Sequence, residues 1–157
     1  MVKTVNWHAK LAVVLLLIGA SSVVTAQPLG KENFREYLDA LENVDAEALT
    51  TRFYHEDFSI VGVDGVALDA AALIEFERTL KSLVDFRFVV DQIVADETGI
   101  AIDAVQIRTV LEDGDIPQIG PAKKGETWQL HLNVFYTLLD GKILTIKANL
   151  LSVNKVE

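Results

Sequence analysis

The sequence predicts an α+β domain in the order α-α-β-α-β-β-β-β, with helices covering one face of an antiparallel sheet. Three observations carry this prediction. Apolar residues recur at helical spacing in the first half of the chain, the period changes to two after the third helix, and Gly, Asp and Pro separate the alternating runs. Helices first and a meander of strands afterwards is the pattern of helices packed on one side of a sheet.

The first 26 residues stand apart from that domain. Residues 1–10 give a basic start with Lys3 and Lys10, residues 11–18 an unbroken apolar run, and residues 19–26 a small-residue stretch ending Val24-Thr25-Ala26. This is the order of a signal peptide cleaved between Ala26 and Gln27, which predicts a periplasmic or secreted protein. The uncharged run over 11–26 is shorter than the roughly 20 residues that span a bilayer, so no stable membrane association is expected after cleavage. With no cysteine in the chain, the exported form is held without disulfides.

Residues 27–30 read as a short tether and 31–157 as one domain. Phe34, Tyr37, Leu38 and Leu41 mark one face of a helix over 31–43. Asp45 is placed to cap a second helix over 46–54, with Ala46, Leu49 and Phe53 on one side. A strand over 58–63 leads to an Asp64-Gly65 turn. Asp69 caps a third helix over 70–83 whose inward face is Leu73, Phe76, Leu80 and Leu83, with Glu77 and Lys81 as an exposed pair. Strands follow over 86–94, 100–111, 126–139 and 143–153. The stretch 113–125 holds two of the three prolines and three glycines, and predicts a long mobile hairpin loop near a pocket mouth or a subunit edge.

Asp140-Gly141 between two alternating runs is the strongest local signal, a two-residue type I′ turn that sets Leu139 opposite Lys142. Carried down the hairpin without a break, that register puts Val134 opposite Lys147. A lysine belongs on the solvent side. Gln129, His131, Asn133 and Phe135 then point under the helices, while Trp128, Leu130, Leu132, Val134 and Tyr136 form an outer face too apolar for water, which predicts a homodimer through that face.

Charge excludes several partners. The formal charge is −9, and leaving out the first 26 residues leaves 12 basic against 23 acidic residues, or −11. A body this acidic, without clustered Lys and Arg, predicts no nucleic-acid binding and no docking on anionic lipid.

The runs YLDALENVDAEAL over 37–49 and FYHEDF over 53–58, with the closing hairpin over 135–143, resemble the nuclear transport factor 2-like superfamily in its SnoaL-like and ketosteroid-isomerase-like branch. The resemblance spans essentially all of 31–153. It implies a cone-shaped curved antiparallel β-sheet packed on three N-terminal-half helices around an apolar pocket, frequently as a dimer. The superfamily hosts isomerases, dehydratases, cyclases, epoxide hydrolases and non-catalytic binders, so the cone alone does not name a reaction. By position, Tyr37 falls where ketosteroid isomerases keep an oxyanion-hole tyrosine, and Asn133 where they keep a protonated aspartate. Their general-base aspartate would fall at Val61 or Gly62, and no carboxylate stands there.

Among the remaining polar residues, Asp103 is the only charge on its side of the strand over 100–111. It either faces the pocket as a desolvated general base or points outward to a strand neighbour. His131 is either a partner acid or base, or a core histidine bonded to a neighbour. The catalytic candidates are therefore Tyr37, Asp103, His131 and Asn133, and the ligand-lining candidates Phe53, Phe58, Phe86, Gln129 and Phe135. His55, Glu56 and Asp57 share no metal-ligand spacing with a second cluster, and no phosphate loop or nucleophile elbow is present, so no metal or cofactor is expected. The resulting reading is an exported pocket protein acting as a cofactor-independent isomerase, lyase or cyclase on an apolar carbonyl compound. The alternative is a non-catalytic module binding a small apolar ligand in the same cone.

Overall fold

The computed structural model describes residues 27–62 and 65–157, so the expected export segment lies outside the described residues. The tether is docked at its C-terminal end: Leu29 is buried and its N–H donates to the Gly141 carbonyl at 2.8 Å. Asn33 fastens the same entrance, accepting from Gly30 N at 2.8 Å and donating to Pro28 O at 3.1 Å.

A 3₁₀ turn (Lys31–Asn33) leads into α1 (Phe34–Glu42), which buries Phe34, Tyr37, Leu38 and Leu41 as its spacing requires. The second helix, α2 (Ala46–Ala48), is capped by Asp45 at 3.0 Å and runs on into a π-helical turn (Leu49–Phe53). The third, α3 (Ala70–Leu83), begins where Asp69 accepts from Ala72 N at 2.8 Å.

The strands are β1 (Tyr54–Val61), β2 (Ala67–Leu68), β3 (Val84–Ala95), β4 (Gly99–Val110), β5 (Gly114–Ile116), β6 (Gly120–Ala122), β7 (Thr127–Leu139) and β8 (Lys142–Lys155). Six form one sheet in the order β2-β1-β8-β7-β4-β3, and β5 with β6 makes a separate hairpin. The large sheet is mixed: β1 runs parallel to β8 while its other neighbours are antiparallel. No hairpin joins β1 to β8, so the antiparallel rule that governs the meander does not reach that pair. At the opposite edge, α1 shields β3. Glu42 Oε1 accepts from Phe88 N at 2.7 Å and Arg35 Nη1 donates to Phe88 O at 3.2 Å, which satisfies backbone groups that an edge strand leaves open.

The β7–β8 register corrects the sequence reading. The type I′ turn forms, with φ of 52° at Asp140 and 73° at Gly141, and Leu139 pairs with Lys142. Two pairs later a bulge skips Leu144, so Thr137 meets Thr145 and Lys147 stands opposite Phe135 instead of Val134. Lys147 is exposed as argued, but its partners change sides, because a one-residue slip exchanges the two faces of a strand. Leu130, Leu132, Val134 and Tyr136, assigned to a dimer surface, are buried under the helices, Leu130 at 1% exposure. Trp128, half-buried, packs on the same inner side against the second core cluster. Gln129, His131 and Asn133 lie on the outer face beside Phe135, which is 49% exposed.

The expected mobile loop over 113–125 is instead the packed β5–β6 hairpin. Ile116 and Ala122 are buried with Leu80, Val84, Phe86 and Val110 in a second core cluster, and this burial holds the hairpin down.

Candidate functional site

Between α1, α3 and the inner face of the sheet lies a cavity of about 260 Å³. Its walls are mostly apolar, including Leu73 and Phe76 of α3, Phe88 of β3, Leu132 of β7 and Ile146 and Leu150 of β8. Among the described residues, six polar ones line it: Tyr37, Glu77, Gln106, Arg108, Gln118 and Tyr136. Few convergent polar groups in an apolar chamber are the usual composition of a small-molecule site.

Glu77 sits one helical turn after Leu73 and shortly before Leu80, so α3 turns it inward with its apolar stripe. Its Oε2 is sealed from solvent and has no hydrogen-bond partner. Burial pushes the carboxyl up to about 7, against the pull of Arg108. Arg108 is 5% exposed, with Nε donating to Gln106 Oε1 and Nη1 to Pro117 O, both at 2.7 Å. Burial draws this guanidinium down to about 10, with Glu77 opposing.

Tyr37 and Tyr136 line the cavity beside this pair, their rings meeting edge to face at 5.7 Å between centroids. Behind them Tyr54 stacks on Phe58 at 4.0 Å. Burial holds all three phenols above the ordinary tyrosine range, so they stay protonated.

The hairpin tip completes the site. Ile119 N donates to Ile116 O at 3.0 Å across a turn whose central residues are Pro117 and Gln118. Gln118 adopts φ of 63° there, a conformation that ordinarily selects glycine or asparagine. Its side chain lines the cavity instead. Strain of this kind collects where a ligand is handled.

Of the residues singled out from the sequence, only Tyr37 of the catalytic set reaches the cavity. Asp103 pairs across β4 and β7 with Asn133, and His131 with Val105, all on the outer face. Gln129 and Phe135 share that face, so none of the five lines the cavity. The side of β4 that carries Ile100, Ile102 and Ala104 turns inward, taking Gln106 and Arg108 with it. Phe53 and Phe58 are buried in the main core and Phe86 in the second cluster, where Lys81 Nζ lies 5.5 Å over its ring; the phenylalanines at the cavity are Phe76 and Phe88. The expected Glu77–Lys81 pair does not form, since Lys81 Nζ donates to the Glu42 carbonyl. Glu77, expected as an exposed partner of Lys81, and Arg108, expected on the side of β4 opposite Asp103, are the two charges the cavity takes in. Among the described residues, no group of three or more His, Cys, Asp or Glu side chains is placed to hold a metal ion.

Fold and cavity together define an α+β pocket protein of the cone-shaped class. Residues 34–146 match the SnoaL-like domain, and the chain belongs to that family. Its fold is similar to that of a SnoaL-like polyketide cyclase from Agrobacterium tumefaciens, at 20% identity and a TM-score of 0.62 over 76% of this chain and 88% of that one. An LEH-like epoxide hydrolase from M. tuberculosis superimposes with a TM-score of 0.57 at 15% identity, over 76% of this chain and 80% of that one. A protein with a ketosteroid isomerase-like fold from Catenulispora acidiphila, in complex with trimethylamine, gives 0.57 at 10% identity, over 76% and 85% of the two chains. At these identities the likeness concerns the fold. No curated protein sequence matches the chain.

Proposed function

We propose that this chain is a cofactor-independent isomerase, lyase or cyclase that moves a proton on a small apolar carbonyl compound held in the cavity. One observation carries the reading: Glu77, whose buried Oε2 has no hydrogen-bond partner among the described residues, brings a carboxyl shifted to about 7 into a mostly apolar cavity. A carboxyl poised there exchanges a proton in either direction near neutral pH. Tyr37 and Tyr136 line the same cavity, which supports a role for them as donors to an oxygen that gains negative charge as a carbon-bound proton leaves. Glu77 thus takes over, from a different element, the role left open at Val61 and Gly62.

Deuterium exchange tests this directly. Incubated in D₂O with 2-tetralone or cyclohexenone, the protein is expected to wash deuterium into the carbon beside the carbonyl, as followed by NMR. Glu77→Gln should lower that rate by about 10²–10⁴-fold. Binding of the ketones without exchange would leave the binding module as the reading, which the missing carboxylate at Val61 and Gly62 favours.

The working setting in this proposal is the exported space, supported by the basic start, apolar run and small-residue stretch of the first 26 residues. N-terminal sequencing of exported protein should begin at Gln27. Pairing with a second copy is proposed through the outward sheet face, where Val89, Val94, Phe135 and Leu151 are exposed. Phe135→Glu should then lower the mass measured by light scattering to that of one chain.

A further inference from the structure

Arg108 and Glu77 both line the cavity, yet no hydrogen bond or ion pair joins them. Arg108 spends two of its five N–H groups on Gln106 and Pro117. The rest of the guanidinium is a buried cation whose nearest opposite charge does not reach it. A buried cation in an apolar chamber is costly until an anion meets it in good geometry, and a planar guanidinium matches a carboxylate through two parallel bonds. The two bonds already made fix the plane of the group, so little ordering is left for a ligand to impose.

We infer that the cavity takes a small apolar carboxylic acid as its anion, with the ligand carboxylate seated on Arg108 and facing Glu77. This rests on the reading of the cavity as the substrate site and extends it to carbonyl compounds that carry a carboxylate. A second carboxylate set beside an ionised Glu77 in a mostly apolar cavity is repelled by it, so binding draws a proton onto Glu77. Among the described residues, the titratable and charged groups facing Glu77 are Arg108 from β4, Tyr37 from α1 and Tyr54 from β1, with Tyr136 of β7 lining the same cavity. The tyrosines stay neutral through the working range, and Arg108 stays charged. Glu77 is therefore the group that takes the proton, so with a carboxylate bound it is the proton donor, and its base role belongs to complexes of neutral carbonyl compounds.

Calorimetry on the full-length chain with 3-phenylpropionate and its amide tests the inference. At pH 6 the acid should bind at least about tenfold more tightly than the amide, because only the carboxylate pairs with Arg108. Its affinity should fall about tenfold from pH 6 to pH 8, and titrations in buffers of different ionisation enthalpy should report uptake of about one proton at pH 8. Arg108→Gln should abolish the preference for the acid. Because Arg108 also holds the hairpin, Glu77→Gln provides an independent measurement: it should retain binding and lose both the pH dependence and the proton uptake. An amide that binds as tightly as the acid, or binding without proton uptake, would overturn the carboxylate site while leaving the cavity a site for neutral compounds. Failure of both probes to bind also overturns it, and deuterium exchange on neutral ketones then decides the cavity reading by itself.

Discussion

Glu77 and Asp103 are both single carboxylates set among apolar residues, and the fold treats them oppositely. Glu77 rides the buried stripe of α3 into the cavity, where burial shifts it to about 7. Asp103 is half-buried on the outer face of β4 beside Asn133, with Gln92 across the other strand pair. The difference teaches that an isolated charge in an apolar pattern marks a site only when its own face is the buried one. The two faces of this sheet differ in placement for that reason: the inner one carries Gln106, Arg108 and Tyr136 to the cavity, and the outer one carries Asp103, His131 and Asn133 away from it.

The sharpest way to break this comparison is to neutralise each carboxylate in turn. Glu77→Gln should lower turnover by about 10²–10⁴-fold, while Asp103→Asn should leave it within about twofold, measured as deuterium exchange on the same ketone. Equal losses in the two variants would remove the contrast between the faces.

Stability should follow the same division. Leu130→Ala, on the inner face at 1% exposure, is expected to cost about 2–5 kcal/mol in denaturant unfolding. Phe135→Ala, next but one to Asn133 on the outer face, should cost under about 1 kcal/mol in the isolated chain. A large loss at Phe135 would mean that the outer face is covered in solution.

A smaller effect should appear in the pH dependence of unfolding. The folded protein raises the Glu77 carboxyl from 4.5 to about 7, so folding favours its protonated form. Its contribution is full below about pH 4.5 and is lost as the pH rises through about 7. Wild-type stability should therefore fall across that window by about 1–3 kcal/mol relative to Glu77→Gln, read from melting curves of the two proteins. Parallel curves would show that Glu77 is not desolvated.

The smallest expected effect concerns the turn from which the register starts. Gly141 has φ of 73°, and a Cβ there would lie 2.8 Å from Pro28 Cβ and 2.9 Å from its Cα. Gly141→Ala should cost about 1–2 kcal/mol and loosen the docked residues 27–30, visible as faster amide exchange at Leu29.

Much of the architecture was legible in the residues. Asp45 and Asp69 sit at the two helix caps their positions suggest, and Ala70–Leu83 matches the predicted third helix. The site was less legible. Tyr37 emerged because a family pattern in the first helix survives in short-range order. Glu77 did not, because helical spacing also offers a partner in Lys81, and that partner turned instead to the Glu42 carbonyl. Gln118 belongs to a stretch whose proline and glycine content suggests mobility, whereas burial of Ile116 and Ala122 fixes it.

The sequence by itself determined the α+β class, the helix caps, the type I′ turn and the outward position of Lys147, since each depends on local dihedral preferences or on the solvation of one side chain. Only the tertiary structure decided which side chains share the cavity. A bulge that skips Leu144 depends on how β8 is pulled between β1 and β7, and no local pattern encodes that pull. One skipped residue exchanges the faces of a strand, and in this molecule it sets the exposed Lys147 opposite the exposed Phe135 and not the buried Val134.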